Sequence, residues 1–184
     1  MKEKLAIFDL DGTLFDTKQV NYYAYKEALG RYHIELPESY FFSECFGRHY
    51  KDFLPEIMDD KHLIEEVHSL KKELYSKYID KAKRNDHLFN YIEKIRVDYH
   101  IAVVTTASRK NTMDILGAYG YGSYFDLIVT AEDIINVKPD PEGFLYAMDH
   151  FNIRAEDTVI FEDSYTGIET AKVTGAAVFA VEQF

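Results

Sequence analysis

Residues 4–13, KLAIFDLDGT, constrain this chain more than any other stretch. Leu5, Ala6, Ile7 and Phe8 are four apolar residues in a row, which reads as a short strand buried on both faces. The run stops at Asp9, with Asp11 two residues on and Gly12 directly after it. Doubly buried strands belong to parallel sheets, whose ligands bind outside the carboxyl ends of the strands. A carboxylate in that place stands at the mouth of such a site, and a second one two residues later shares the mouth. The glycine lets the chain turn away sharply. Two acids this close repel each other unless a cation or a shared proton intervenes. Asp and Gly are also ordinary turn formers, so this stretch alone leaves a plain turn open.

The next part of the chain carries helical signals only. Residues 14–17 make a tight exit, and Asp16 or Thr17 can cap a helix to about Tyr32 with Val20, Ala24 and Ala28 on one face. Pro37 breaks that pattern, a second short helix follows over residues 39–46, and Gly47 interrupts again. Asp59 and Asp60 can cap a long helix to about Ala82, with an apolar stripe of Leu63, Val67, Leu70, Leu74 and Tyr78. Lys71, Lys72, Glu73, Lys77 and Asp80 fall mainly off the stripe and read as its solvated face.

From Asn85 on the pattern alternates. Asn85 and Asp86 open a helix carrying Leu88, Ile92 and Ile95. Residues 101–104 read as a strand ending in Thr105 and Thr106, and residues 109–119 as a helix closed by Gly120. A strand over 127–130 follows, then a helix begun by Pro141 with Phe144, Leu145, Met148 and Phe151. A strand over 158–161 ends in Glu162 and Asp163; a helix over 165–174, Gly175 and a last strand over 176–181 complete the chain. Strands alternating with helices predict right-handed βαβ units and a parallel sheet covered on both faces. The expected class is therefore α/β. Its Rossmann-like core takes residues 1–16 and 85–184, with an all-helical domain, 17–84, inserted between the first strand and the rest.

Composition narrows the partners. The 184 residues suit one domain with an insert or two small domains. A net charge of −11 argues against nucleic acid, which needs clustered Lys and Arg. With neither an apolar run near 18 residues nor a basic-then-apolar start, a membrane span and a secretory signal are not expected. Cys45 is the single cysteine, which excludes an internal disulfide and fits a reducing cytoplasm; it reads as a small buried hydrophobe. Most of the fifteen Tyr and thirteen Phe read as core or amphipathic surface.

Four motifs follow one another at the ends of expected strands. FDLDGTLFDT resembles the first motif, DxDGT, of the haloacid dehalogenase (HAD) superfamily of phosphohydrolases. Thr105 after IAVV is similar to the second; VKPDP around Lys138 resembles the third, GKPxP, with Val137 in place of the glycine. VIFEDSYTGIETAKVTGA, with Glu162 and Asp163, is similar to the fourth, EDSxxGIxAAxxAG. Taken singly each is weak, since a Thr after a strand, a Lys-Pro loop and a Glu-Asp before a helix are all common. In order, and spanning nearly the whole chain, they are specific.

The acids Asp9, Asp11, Glu162 and Asp163 would repel a phosphate unless cations entered the site. Hard oxygen ligands with room for water suit Mg²⁺. With Asp11 protonated, three carboxylates balance Mg²⁺ plus Lys138, and a phosphate dianion can enter. The resemblance implies that Asp9 is the nucleophile and forms an aspartyl-phosphate. It implies that Asp11 is the general acid and then base, and that its backbone carbonyl also binds metal. Asp163 is then the metal carboxylate opposite Asp9, Glu162 holds a metal-bound water, and Thr105 and Lys138 hold the phosphoryl oxygens, with Thr106 beside them. The helical insert resembles the family's first class of cap, which excludes water and selects substrate. Its loop residues Gly47, Arg48 and His49 stand where members of the family contact substrate; solvated loop charges are the plain alternative. β-Phosphoglucomutase shares all four motifs, but here Asn21 stands where its His belongs and Tyr50 where its phosphate-gripping Arg belongs. Haloacid dehalogenases proper lack the second aspartate, so Asp11 argues against carbon–halogen chemistry. The expected reaction is Mg²⁺-dependent hydrolysis of a small phosphorylated metabolite, a sugar phosphate among the candidates, by a chain of a size that is commonly a monomer in this family. A sugar-phosphate phosphotransferase and a non-catalytic phosphate-binding protein are the alternatives.

Overall fold

A computed structural model describes residues 2–182. Its strands are β1 (Lys4–Phe8), β2 (Phe15–Asp16), β3 (Lys83–Arg84), β4 (Tyr99–Val104), β5 (Leu127–Val129), β6 (Thr158–Glu162) and β7 (Ala177–Ala180). Five of them form a parallel sheet in the order β5-β4-β1-β6-β7, so the unbroken apolar run of β1 lies at its centre. Leu5, Ala6, Ile7 and Phe8 are fully buried there, as a strand with neighbours on both edges and layers on both faces requires.

Register decides what the carboxyl ends present. Phe8 pairs with Val103 of β4 and with Phe161 of β6. The residues that follow, Asp9, Val104 and Glu162, therefore emerge side by side. Alternation sends Leu5 and Ile7 to one face and Phe8 to the other.

The helices are α1 (Lys18–Gly30), α2 (Glu38–Tyr40), α3 (Tyr50–Ile57), α4 (Ile64–Leu74), α5 (Asp86–Ile95), α6 (Arg109–Ala118), α7 (Glu142–Phe151) and α8 (Tyr165–Val173). On one face of the sheet Leu5, Ile7, Ala102, Val104 and Ile160 pack with Phe144, Ala147 and Met148 of α7 and Ala171 of α8, while Leu145 is left largely exposed. On the other, Phe8 stacks on Phe161 at 4.5 Å, and Tyr91 of α5 lies 5.7 Å from Phe161.

The chain divides into two compact units. One runs up to Asp16 and resumes at Lys83; the other is Thr17–Ala82. Lys83 and Arg84, read from sequence as the end of the helical block, form β3 antiparallel to β2 and go with the sheet. A two-residue strand with both side chains exposed has no period to detect.

The helical unit departs from its sequence reading in several places. Residues 50–57 form α3, with Pro55 inside it and Phe53 and Leu54 buried, where no helix was expected. The short helix over 39–46 is α2 followed by a π-helical turn, Phe41–Cys45, in which Cys45 is buried as expected. The long helix is α4 flanked by 3-10 turns at Lys61–Leu63 and Tyr75–Lys81, with Asp60 capping the first by accepting from the His62 N–H at 3.0 Å. Its buried face comprises Val67, Lys71 and Leu74, so Lys71 is not on the solvated side. The Lys71 ammonium lies 5.2 Å from the Tyr25 ring and 5.0 Å from the Tyr75 ring. Its stem packs among apolar groups while two ring faces receive the charge. At the head of α1, Thr17 makes no side-chain cap bond to a helix N–H; its carbonyl and hydroxyl accept from the Asn21 amide at 3.1 and 3.2 Å.

His68 ties the core of this unit to pH. Its Nδ1 is 3.0 Å from the Tyr25 hydroxyl and its ring stacks on Tyr50 at 3.6 Å. Burial, helped by the charges of Lys71 and Lys72, holds its pKa down at about 3 against an ordinary 6.5. Between those values the unfolded chain binds a proton that the folded chain does not, so stability is complete above pH 6.5 and falls as pH drops toward 3. We expect thermal unfolding between pH 7 and 4 to show this loss, and His68→Phe, which keeps the stack on Tyr50 and has no proton to accept, to remove about one proton's worth of the pH slope.

Candidate active site

The site begins with one lysine. Lys138 lies in the loop before α7, and its side chain is only 10% exposed. Its ammonium donates to Asp9 Oδ1 at 2.7 Å, to the Val104 carbonyl at 3.2 Å and to the Glu162 carboxylate. These acceptors are the neighbours that strand register sets side by side. Burial alone would lower the Lys138 pKa, but Asp9 and Glu162 outweigh it and raise it, so the ammonium stays charged. Burial raises the Asp9 pKa well above the usual carboxylate range. The Lys138 charge opposes that rise, while Glu162 and Asp163 add to it.

Glu162 is held from a second side. It accepts from the Ser164 N–H at 3.3 Å and the Ser164 hydroxyl at 3.2 Å, and Ser164 in turn caps α8 by accepting from the Gly167 N–H at 3.0 Å. A Cβ on Gly167 would lie 2.1 Å from this carboxylate. The first turn of α8 therefore closes directly onto Glu162, and a helix N-terminus favours a negative charge there.

Asp163 is placed by the loop after β1. Thr13, fully buried, donates its hydroxyl to Asp163 Oδ1 at 2.9 Å. Gly12 has φ +98°, and a Cβ on it would lie 2.2 Å from Asp163 Oδ2. Only glycine accepts both that backbone angle and that approach. Burial raises the Asp163 pKa, with the Thr13 hydroxyl working against it and the Glu162 charge adding to it.

Asp9, Glu162 and Asp163 each offer a carboxylate oxygen within 4.8 Å of the others. Asp11 is half-buried on the same loop, its backbone bridged to Phe15, and its carboxylate is not a member of this cluster. Thr105 is buried at the end of β4, and its hydroxyl accepts from the Ala107 N–H at 3.0 Å. Thr105, Thr106 and Lys138 line one shallow recess.

The cluster fits a small hard cation. Its donors are all carboxylate oxygens, and three negative charges face one ammonium. A divalent ion would bring the group to neutrality and relieve the repulsion that adds to the burial-driven rise of Asp9 and Asp163.

The remaining expected residues belong to the helical unit. Gly47 is left-handed, with φ +85°. Arg48 is committed within its own segment: its guanidinium donates to both Glu56 oxygens, at 2.6 and 3.1 Å, and to the Glu44 carbonyl at 2.7 Å. His49 caps α3 by accepting from the Lys51 N–H at 3.3 Å. Asn21 is bound to Thr17 as described, and the Tyr50 hydroxyl donates to Glu65 at 2.9 Å. Sequence reasoning passed over Thr13, Ser164 and Gly167 as working parts. All three stand inside the motifs, but their use depends on which side chain faces them.

The sequence profile of the family described as haloacid dehalogenase-like hydrolase matches residues 6–181. The chain belongs to that family. It is 27% identical over 176 residues to a phosphorylated carbohydrates phosphatase of Thermotoga maritima, covering 92% of this chain and 80% of that one. It is 27% identical over 177 residues to pyrophosphatase PpaX of Listeria welshimeri, covering 90% and 77%. The crystal structure of CbbY from Rhodobacter sphaeroides in complex with phosphate superposes with a TM-score of 0.87 at 22% identity, covering 100% of this chain and 88% of that one, and shares the fold. As an enzyme this HAD hydrolase is a phosphatase. Among the described residues no helix is long and apolar enough to cross a membrane.

Removing the lysine leaves two buried carboxylates without their counter-charge. We expect Lys138→Met to cost about 3 kcal/mol or more in urea unfolding without divalent cations, with part of the loss recovered in millimolar Mg²⁺. An unchanged midpoint would mean that Asp9 and Glu162 do not depend on Lys138 in the folded chain.

Proposed function

We propose that this chain hydrolyses a small phosphorylated metabolite, with a sugar phosphate as the favoured class, and needs Mg²⁺ to do so. The observation that carries the reading is the buried cluster of Asp9, Glu162 and Asp163 around Lys138 at adjoining strand ends. Asp9, Asp163, the Asp11 carbonyl and, through water, Glu162 are the groups that would hold the ion. When bound, Mg²⁺ supplies the positive charge that lets a phosphate dianion approach.

An Asp9 carboxylate oxygen attacks phosphorus, and the leaving oxygen takes a proton from Asp11. Asp11, now ionised, accepts a proton from the water that attacks the aspartyl-phosphate, releasing inorganic phosphate and restoring Asp9. Lys138 and Thr105 steady the phosphoryl oxygens, and Thr106 borders the same recess. We assign substrate contact to Gly47, Arg48, His49 and Asn21 of the helical unit. Hydrolysis is favoured over transfer between two positions of a sugar. Asn21 replaces the histidine, and Tyr50 replaces the arginine, that the transferase reading requires. The phosphorylated carbohydrates phosphatase of T. maritima supports the substrate class. Turnover of p-nitrophenyl phosphate separates both readings from a binding protein without catalysis.

Asp9→Asn is expected to abolish turnover while the fold survives, because an amide is a poor nucleophile and a weaker ligand. Phosphate release and the thermal midpoint, measured together, check this; activity above about a tenth of wild type would remove Asp9 from the nucleophile role.

Activity is also expected to disappear in excess EDTA and return with Mg²⁺. Ca²⁺ is expected to inhibit, since its looser shell of roughly six to eight oxygens spoils in-line geometry. Full turnover in EDTA would overturn the metal assignment.

A further inference from the structure

We propose that Asn85 is a positioning residue for the acidic loop after β1, acting on Asp163 through Thr13. This rests on the reading of Asp163 as a metal ligand. Asn85 follows β3 directly and caps α5, where its Oδ1 accepts from the Leu88 N–H at 3.2 Å. Its backbone N–H donates to the Leu14 carbonyl at 2.9 Å, and its Nδ2 donates to the Thr13 carbonyl at 3.1 Å. One residue thus grips two consecutive carbonyls of the loop that carries Asp11, Gly12 and Thr13.

Capping alone does not call for asparagine. Aspartate, serine and threonine offer the same acceptor to a helix N–H. Of these, only asparagine also carries a side-chain donor able to keep the cap and reach a carbonyl at once; serine has one short hydroxyl, and aspartate would set an oxygen against the Thr13 carbonyl. The loop end of this amide is therefore what distinguishes the residue.

The grip is transmitted because the next links have no slack. Thr13 is fully buried, and its hydroxyl holds Asp163 Oδ1 at 2.9 Å. Gly12 lies so close to Asp163 that a Cβ would overlap it at 2.2 Å. A shift of the Thr13 backbone must therefore move the Asp163 carboxylate or break its hydrogen bond. Outer partners of this kind tune metal sites by about 10–100-fold in affinity.

The test compares Asn85→Ser, which keeps a cap acceptor and adds no charge, with wild type and with Thr13→Val. Mg²⁺ binding is measured by calorimetry on the full chain, alongside the thermal midpoint without metal and the Mg²⁺ dependence of kcat and KM. Expected is a weakening of Mg²⁺ binding by about ten-fold or more in Asn85→Ser, with the metal-free midpoint close to wild type. Asn85→Ser combined with Thr13→Val should bind no more weakly than Thr13→Val alone, since the two act in series. If wild type binds Mg²⁺ and Asn85→Ser binds it equally well, the inference is overturned. It is also overturned if the double variant shows the product of the two single effects. Absence of Mg²⁺ binding in wild type would instead remove the metal reading itself.

Discussion

The contact on which the rest of this structure depends is the Lys138 ammonium between the carboxylates of Asp9 and Glu162. All three groups are withdrawn from water, where an unpaired charge is costly. The lysine also donates to the Val104 carbonyl, so a single side chain joins the ends of β1, β4 and β6. Buried ion pairs are uncertain contributors to stability, because desolvation offsets the attraction. Here the pairing has a chemical consequence. It sets one ammonium among three clustered carboxyl groups, Asp9, Glu162 and Asp163, an arrangement that suits a divalent cation.

Two glycines allow that crowding. Gly12 brings the loop after β1 against Asp163, and Gly167 brings the first turn of α8 against Glu162. In both places the missing side chain is occupied by a carboxylate. The glycines thus act less as hinges than as space, and the acids are ordered by contact with backbone as much as by hydrogen bonds. Thr13, Ser164 and Asn85 complete this second layer, each linking an acid or its loop to a helix end or a strand end.

The helical unit follows a different rule. Its interior is aromatic, with Tyr22, Tyr25, Phe41 and Phe53 buried together. Within it Lys71 and His68 are held by ring faces and by one tyrosine hydroxyl. Arg48, the natural candidate for an anionic substrate group, is already engaged by Glu56 and two backbone carbonyls of its own segment. Recognition through Arg48 would have to exchange those bonds for others of similar strength.

Much of the sheet unit was legible in the sequence. Residues 5–8 read as a doubly buried strand and form one at the centre of the sheet, and the later strands and helices fall within a residue or two of their expected limits. The motif acids fall at strand ends because an apolar run must stop where the sheet meets water. The helical unit was less legible: α3 was passed over behind Gly47, and the stripe through α4 packs inward as expected but is wider than expected, taking in Lys71 beside Val67 and Leu74. Helical periodicity marks the apolar stripe but not its width, and only packing in the folded unit decides whether a lysine at its border lies in or out. What the sequence by itself determined was the order of the strands and helices of the sheet unit and the strand ends at which the motif residues stand. Tertiary structure alone decided that Glu162 meets Lys138, that Thr13 meets Asp163, and that Asn85 reaches Thr13. Those pairs are far apart in the chain, and their meeting is set by register, by close backbone approach and by the direction of each side chain.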